Sequence, residues 1–341
     1  MRSEVSAVGD TGSIAMEGWH AFCRNTRSMK LASRIPRWSR ACVALLLLAV
    51  LALNLDWSAL YAGLQELYWP LIAVAMLLYP VAMLLNAAKW SAALRLHDLS
   101  FRFGYLLRTG CIGFFLNNLL PSAIGGDVYR VYRSSVPGAT SQAVSAVLLE
   151  RLVGLAVLLL NGFVGAVLLF ESSFLARAYL TWALSGVVVA AVLAMLVVVG
   201  HKTMAPKVVS YRRLQPVIAN LRRIARRHPA WGRLIVFSVA FQLVAAFVTL
   251  VVFRTVGADM TVSGALLITV AAGLASVLPI SISGIGVVEG SIVGAAVALG
   301  VNYDSAFLAA LVLRGLSLIT SLGCGIVYVF EGGQRSLQTA A

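Results

Sequence analysis

The sequence predicts an all-α polytopic membrane protein with about six full spans and two re-entrant helical hairpins arranged as an inverted repeat. Three observations lead there. The chain is 60% apolar and only 12% charged, with a mean hydropathy of +0.90, outside the range of soluble globular domains. A Pro/Gly break occurs twice inside apolar sequence. Basic residues gather in alternate loops.

The first forty residues hold seven Lys/Arg against three acids and read as a basic, polar and mobile cytoplasmic tail, 1–40. A single integral membrane domain, 41–330, follows. Full spans are expected at 41–57, 68–89, 143–170, 178–200, 233–253 and 306–330, because each supplies roughly the 17–25 apolar residues that cross a bilayer. The first of these lacks a small-residue cleavage site and is read as a retained span. A basic segment, 201–232, interrupts the domain, and residues 331–341 form a cytoplasmic C-terminal tail.

Two more apolar stretches, 105–126 and 264–300, are broken. The first contains Leu119-Leu120-Pro121-Ser122-Ala123-Ile124-Gly125-Gly126-Asp127, the second Leu278-Pro279-Ile280-Ser281-Ile282-Ser283-Gly284-Ile285-Gly286. Proline removes an amide donor and clashes with the preceding turn, and lipid accepts broken backbone only where protein or a water-filled cavity satisfies it. Each stretch is therefore expected to turn back as a hairpin.

Loop charge sets the topology. Residues 201–233 carry nine Lys/Arg and no acid, so this segment and the N-terminal tail belong in the cytoplasm. Lys89, Arg95, Arg102 and Arg108 before the first break, and Arg130 and Arg133 after it, place both ends of that hairpin on the same side. Counting crossings from there makes the second hairpin enter from the opposite face. The units 68–170 and 233–330 are then inverted copies, as in many alternating-access transporters. Pro121 precedes Arg151 by thirty residues and Pro279 precedes Arg314 by thirty-five, a loose match.

The formal charge of +14 is explained by topology and by contact with anionic inner-leaflet lipids, not by nucleic acid. Within 201–233, Leu214, Val217, Ile218, Leu221 and Ile224 recur at helical spacing opposite Arg222, Arg223, Arg226 and Arg227, which suits an amphipathic helix on the inner leaflet or a basic loop. Trp57, Tyr68, Trp69, Trp90 and Trp182 read as interface anchors. Cys23, Cys42, Cys111 and Cys324 lack metal or disulfide spacing and read as small apolar residues.

Charged residues inside apolar runs are the candidate site. Glu150 and Arg151 lie within 143–170 and Arg314 within 306–330, where a charge costs at least about 2.5–3.5 kcal/mol at the span centre and so faces a cavity or a partner. Asp127 and Arg130 follow Gly125-Gly126, and Glu289 follows Gly284-Ile285-Gly286. Two readings apply to each. The arginines and the half-helix N-termini can hold a phosphate, or the acids can cap helices and pair with arginines to lock the bundle. Asn117 and Asn118 either satisfy broken-helix backbone or line a cavity, and Ser122, Ser281 and Ser283 share that ambiguity.

Enzyme classes find little support. His20, His97, His201 and His228 fall in the tail or loops, where they cannot serve an intramembrane Ser–His pair. Neither HExxH nor a nucleotide-binding P-loop occurs, and Asp56 with Glu66 is a weak acidic pair. No cofactor or metal is expected.

The run Asn117-Asn118-Leu119-Leu120-Pro121, then Gly125-Gly126-Asp127-Val128-Tyr129-Arg130, then Glu150-Arg151-Leu152-Val153-Gly154, resembles the lysylphosphatidylglycerol synthase transmembrane (flippase-like) family. Leu278-Pro279, Gly284 through Gly290 and Arg314 extend the resemblance over about 40–330. It implies an inner-membrane protein that handles phospholipids, with paired re-entrant hairpins. By motif position it maps the family's polar intramembrane residues onto Asp127, Arg130, Glu150, Arg151, Glu289 and Arg314, and its hairpin backbone onto Asn117, Asn118, Pro121, Gly125, Gly126, Pro279, Gly284 and Gly286. It also implies a stand-alone member, since bifunctional members continue into a soluble aminoacyl-transfer domain and this sequence ends about eleven residues after its last span.

The expected function is movement of a phospholipid, with aminoacylated lipid one candidate, between leaflets. A small-solute or ion-coupled transporter and a non-catalytic partner of a lipid-modifying enzyme are the alternatives. The expected partners are a phospholipid substrate, anionic inner-leaflet lipids, and either a second copy or such an enzyme.

Overall fold

A computed structural model describes residues 53, 57–119, 125–169, 228–277 and 281–339. The spans expected at 41–57 and 178–200, the tail 1–40 and the basic segment 201–232 lie wholly or largely outside the described residues. Nine α-helices and no strand occur among those described. They are α1 (Trp57–Gln65), α2 (Trp69–Leu96), α3 (Phe103–Leu119), α4 (Gly125–Ser134), α5 (Thr140–Leu168), α6 (His228–Thr255), α7 (Val262–Val277), α8 (Val287–Ala298) and α9 (Tyr303–Thr339), with a 3-10 turn at Ile282–Gly284.

Four of these helices are long and apolar enough to cross a membrane: Trp69–Leu96, Thr140–Leu168, Trp231–Thr255 and Tyr303–Phe330. At 1.5 Å per residue, the 28 residues of α2 extend about 42 Å, against a hydrocarbon core of about 30 Å. Pro80 lies inside α2 without ending it. The helix α9 does not stop at Phe330 but continues to Thr339.

The four helices around the breaks are shorter. With 17, 10, 16 and 12 residues in α3, α4, α7 and α8, their lengths are about 25, 15, 24 and 18 Å, so none reaches across the hydrocarbon alone. Helix α3 is described to Leu119, two residues before Pro121, and α7 to Val277, two before Pro279.

Helices α3 and α4 fold back antiparallel. The Tyr105 hydroxyl near the start of α3 donates to the Arg133 carbonyl near the end of α4 (2.7 Å), while Asn117 near the end of α3 accepts from the Gly126 amide at the start of α4 (2.7 Å). Gly113 and Gly126 let the two backbones meet, and a Cβ on Gly126 would clash with the Gly113 carbonyl. In the second pair, Gly264 at the start of α7 lies against Leu299 just past the end of α8, so α7 and α8 are antiparallel too.

The centre of the bundle is the contact of α2 with α6. They run antiparallel, since the Tyr68 amide reaches the Thr255 carbonyl while Lys89 sits over the Phe241 ring, 4.7 Å from its centroid. Each of these antiparallel pairs then rests on a long helix from the other half of the sequence. Helix α3 packs on α9, where the Phe115 ring covers Gly325. Helix α7 packs on α5, where Leu158 covers Gly273 and Gly165 meets Leu266. Gly325 and Gly273 make room for the Phe115 and Leu158 side chains, and Gly165 approaches the Ser263 carbonyl, supplying van der Waals contact of the kind that holds membrane helices together.

Two apolar cores result. One joins α1, the first half of α2, α6, α7, α8 and α9 through residues such as Ala75, Phe253, Ile268, Ile292 and Ala306. The other joins the end of α2 to α3, α5 and the start of α6 through Trp90, Leu94, Leu106, Ala146 and Leu234. The outward faces of α5 and α9, including Leu160, Phe163, Leu322 and Ile326, are exposed apolar surface, as a lipid-facing surface requires.

Candidate functional site

Four of the six charged residues singled out from the sequence converge between α2, α4 and α5. Glu150 on α5 is buried to 2% exposure. It pairs with Arg130 of α4 and with Lys89 of α2, the latter at 3.1 Å. Asp127, one turn before Arg130, lies 3.6 Å from its Nη1 and pairs through Oδ2 with Arg151. The chain of contacts is thus Lys89, Glu150, Arg130, Asp127, Arg151.

Helical geometry explains which way each group points. Arg130 and Asp127 are three apart on α4 and share a face, both buried. Glu150 and Arg151 are adjacent on α5 and must diverge by about 100°. Glu150 turns inward, and the Arg151 side chain remains 46% exposed. The Arg130 guanidinium also stacks on Trp90, 4.4 Å from the ring centroid, an attraction that grows when water is excluded.

Lys89 was hidden by its sequence neighbours. It stands among the basic residues 89–108, where it reads as a loop charge, yet α2 continues past it to Leu96 and buries it. Trp90, read as an interface anchor, is instead fully buried under Arg130. Tyr68 and Trp69 are exposed as expected of anchors. No local signal distinguishes Lys89, because its partner Glu150 lies on another helix sixty-one residues away.

The other two charged residues form a separate pair. Glu289, buried in the first turn of α8, accepts from the Arg314 Nε of α9 and, through its second oxygen, from the Gly286 amide (2.7 Å). The Nη2 of Arg314 is buried and has no hydrogen-bond partner among the described residues. No ion pair links this pair to the first cluster among the described residues. The spacing is repeated nonetheless: Asp127 and Arg151 are twenty-four apart, Glu289 and Arg314 twenty-five. Each joins the second short helix of a hairpin to the span that follows.

The two breaks touch. Ser283 donates to the carbonyls of Asn117 (3.1 Å) and Asn118 (3.2 Å), which lie in the last described turn of α3. Ser283 itself has φ 52° and ψ 24°, a left-handed conformation that non-glycine residues seldom adopt. Its neighbours Gly284 and Gly286 also have positive φ, 74° and 82°, where glycine carries no Cβ penalty. Pro121, Ser122 and Pro279 lie outside the described residues, while Gly125 opens α4.

Asn117 and Glu289 each serve a backbone amide at a helix start. Asn117 takes the Gly126 amide, Asn118 donates to the Phe114 carbonyl, and Glu289 takes the Gly286 amide. One amide at each half-helix start is satisfied from within. Ser281 is buried with no hydroxyl partner among the described residues.

A family model for the lysylphosphatidylglycerol synthase TM region matches residues 38–325, which include both hairpins and every charged residue of the site. The chain belongs to this family. No curated protein matches it. Membership in the lysylphosphatidylglycerol synthase TM family, with four apolar helices of spanning length, makes this an integral membrane protein linked to lipid handling. The family's region ends inside α9, one residue beyond Cys324, so the cluster around Asp127 and the Glu289–Arg314 pair both belong to the shared membrane region.

Proposed function

We propose that the protein moves a phospholipid between leaflets, recognising the phosphate of its headgroup near Arg151. One observation carries this reading. Three cations, Lys89, Arg130 and Arg151, share two carboxylates, Asp127 and Glu150, leaving one formal positive charge. The exposed member is Arg151. A monoanionic phosphodiester would neutralise it with charge-assisted hydrogen bonds, and a buried excess charge is costly in an apolar surround. Glu150, Lys89 and Arg130 then lock the bundle, so that Asp127 and Arg151 face the headgroup. Arg314, whose Nη2 has no hydrogen-bond partner among the described residues, is the corresponding group of the second unit.

Alternating access follows from an inverted repeat in which α2 to α5 correspond to α6 to α9. The antiparallel contact of α2 with α6, the reciprocal seating of α3 on α9 and α7 on α5, and the repeated acid–arginine spacing all favour it. In this scheme α3–α4 and α7–α8 are re-entrant hairpins entering from opposite faces, and the Ser283 bridge holds their tips together. The protein lies in a cytoplasmic membrane with both termini inside and acts as a transporter, not a catalyst. Aminoacylated phosphatidylglycerol, whose headgroup adds a cation for Asp127, is one substrate that fits.

Reconstitution into liposomes with headgroup-labelled phospholipids tests the reading. Protein-dependent translocation of labelled lipid is expected. Uptake of a hydrophilic solute with no lipid movement would replace it with the solute-transporter reading.

A further inference from the structure

Asn161 lies buried within the apolar helix α5, and its side-chain Nδ2 has no hydrogen-bond partner among the described residues. The crossing of α5 with α7 fixes what it faces. Leu158 meets Gly273 and Gly165 meets Leu266, so Asn161, three residues after one contact and four before the other, shares that face of α5. Thr269 holds the matching place on α7, three after Leu266 and four before Gly273. Helix α6 brings a third group to the same level. Gln242 of α6 donates to the Gly154 carbonyl of α5 (3.4 Å), and seven residues further along each of these parallel helices stand Thr249 and Asn161. The Thr249 and Thr269 hydroxyl oxygens are 3.2 Å apart. Each also donates within its own helix, Thr249 to the Ala245 carbonyl (3.1 Å) and Thr269 to the Ala265 carbonyl (2.7 Å). A hydroxyl has one proton. With both protons given to carbonyls, two oxygens turn lone pairs toward each other beside an amide that has protons to give.

We propose that Asn161, Thr249 and Thr269 hold one buried water between α5, α6 and α7. The water accepts from the Asn161 amide and donates its two protons to the threonine oxygens. Each group then has a partner, and the water has the three polar contacts usual for buried water. Charge decides against other small ligands. An anion would face two threonine oxygens that offer it only lone pairs. A cation would lack a carboxylate, since α6 and α7 carry no acid. Glu150 of α5 lies eleven residues back, about 16 Å along the helix, and is already paired with Lys89 and Arg130.

The crossing of α7 on α5 joins the two halves of the sequence, and a bridging water makes it adjustable. Water can re-form its hydrogen bonds as α7 shifts along α5, where a direct bond between two side chains would have to break. This consequence rests on the proposed lipid movement, but the water site does not.

Structures of the full-length protein in sodium chloride and in choline chloride, at a resolution that shows ordered water, test the site. One density peak is expected in both, about 2.7–3.2 Å from the Asn161 amide, Thr249 Oγ1 and Thr269 Oγ1. A direct bond from Asn161 to either threonine with no peak between them would overturn the site, and a peak found only with sodium would overturn water in favour of a cation. Asn161→Leu, folded by size exclusion, should lack the peak; the nearly isosteric Thr249→Val serves the same comparison where the leucine variant fails to fold. If the variant loses the water and translocates lipid several-fold more slowly, the adjustable crossing holds. If it loses the water and translocates at the wild-type rate, the site stands and its part in movement is overturned; absence of translocation by wild type would count against the transport reading alone.

Discussion

Ser283 reaches from the second break to the first, donating its hydroxyl to the backbone carbonyls of Asn117 and Asn118. A side chain in left-handed geometry at one broken helix thereby satisfies the C-terminal carbonyls of the other. These hydrogen bonds are partly buried, and polar groups that lose a partner away from water cost about 1–3 kcal/mol, which helps to offset the strain at Ser283. Ser283→Ala keeps the strained φ and removes the donor. It should lower the thermal midpoint in detergent, and more than Ser283→Gly, which relieves the backbone; equal midpoints for Ser283→Ala and wild type would remove the bridge from the account.

Glu150 holds two cations, so its loss and the loss of one partner differ in severity. Lys89→Met leaves Glu150 paired with Arg130, whereas Glu150→Gln leaves Lys89 and Arg130 both facing an uncharged amide. Removing one partner of a buried pair destabilises by about 3–5 kcal/mol. Glu150→Gln is expected to give the lower yield of monodisperse protein on size exclusion, with Lys89→Met intermediate. The opposite ranking would show that Lys89, and not Glu150, is the keystone.

Glycines of α3 and α4 divide by what surrounds them. Gly126→Ala places a Cβ against the Gly113 carbonyl and 2.8 Å from the Asn117 side chain, and should abolish assembly of the hairpin. Gly110→Ala meets nothing within 4 Å and replaces a helix-interior glycine, so it should be neutral or stabilising by about 0.5–1 kcal/mol. Paired melting curves of the two variants check this.

His97, at the end of α2, supplies a pH dependence. Its Nδ1 lies 2.9 Å from the Ala93 carbonyl, which can only accept, so Nδ1 carries the proton. The buried Nε2 has no partner among the described residues. Burial lowers its pKa below the usual 6.5, with Ala93 and Asp98 opposing in part. The unfolded chain then binds the proton more readily, and stability should fall as pH drops below about 6.5. His97→Gln should flatten the thermal midpoint between pH 7 and pH 5; an unchanged slope would assign the effect to other groups.

The long helices were legible because 17–25 apolar residues have few alternatives; proline alone is a weaker guide, since Pro80 lies inside α2 without ending it. The charges Asp127, Arg130, Glu150, Arg151, Glu289 and Arg314 stood out against apolar surroundings, and their pairing fits the bundle-locking reading that the sequence left open. Lys89 was hidden among loop-like basic residues, and Trp90 among interface aromatics, because burial depends on helices distant in sequence. Counting from Pro121 to Arg151 and from Pro279 to Arg314 gives unequal intervals, whereas counting from acid to arginine gives nearly equal ones, because each pair bridges a short helix and the long helix that follows it.

Protein-dependent translocation of headgroup-labelled phospholipid in liposomes, compared for wild type, Gly110→Ala and the Arg151→Ala, Arg314→Ala double variant, tests the central claim most directly. Wild type and Gly110→Ala should translocate lipid alike, and the double variant, folded by size exclusion, should be slower by at least tenfold. Equal rates for the double variant and wild type would contradict the proposed grip of these arginines on the lipid phosphate.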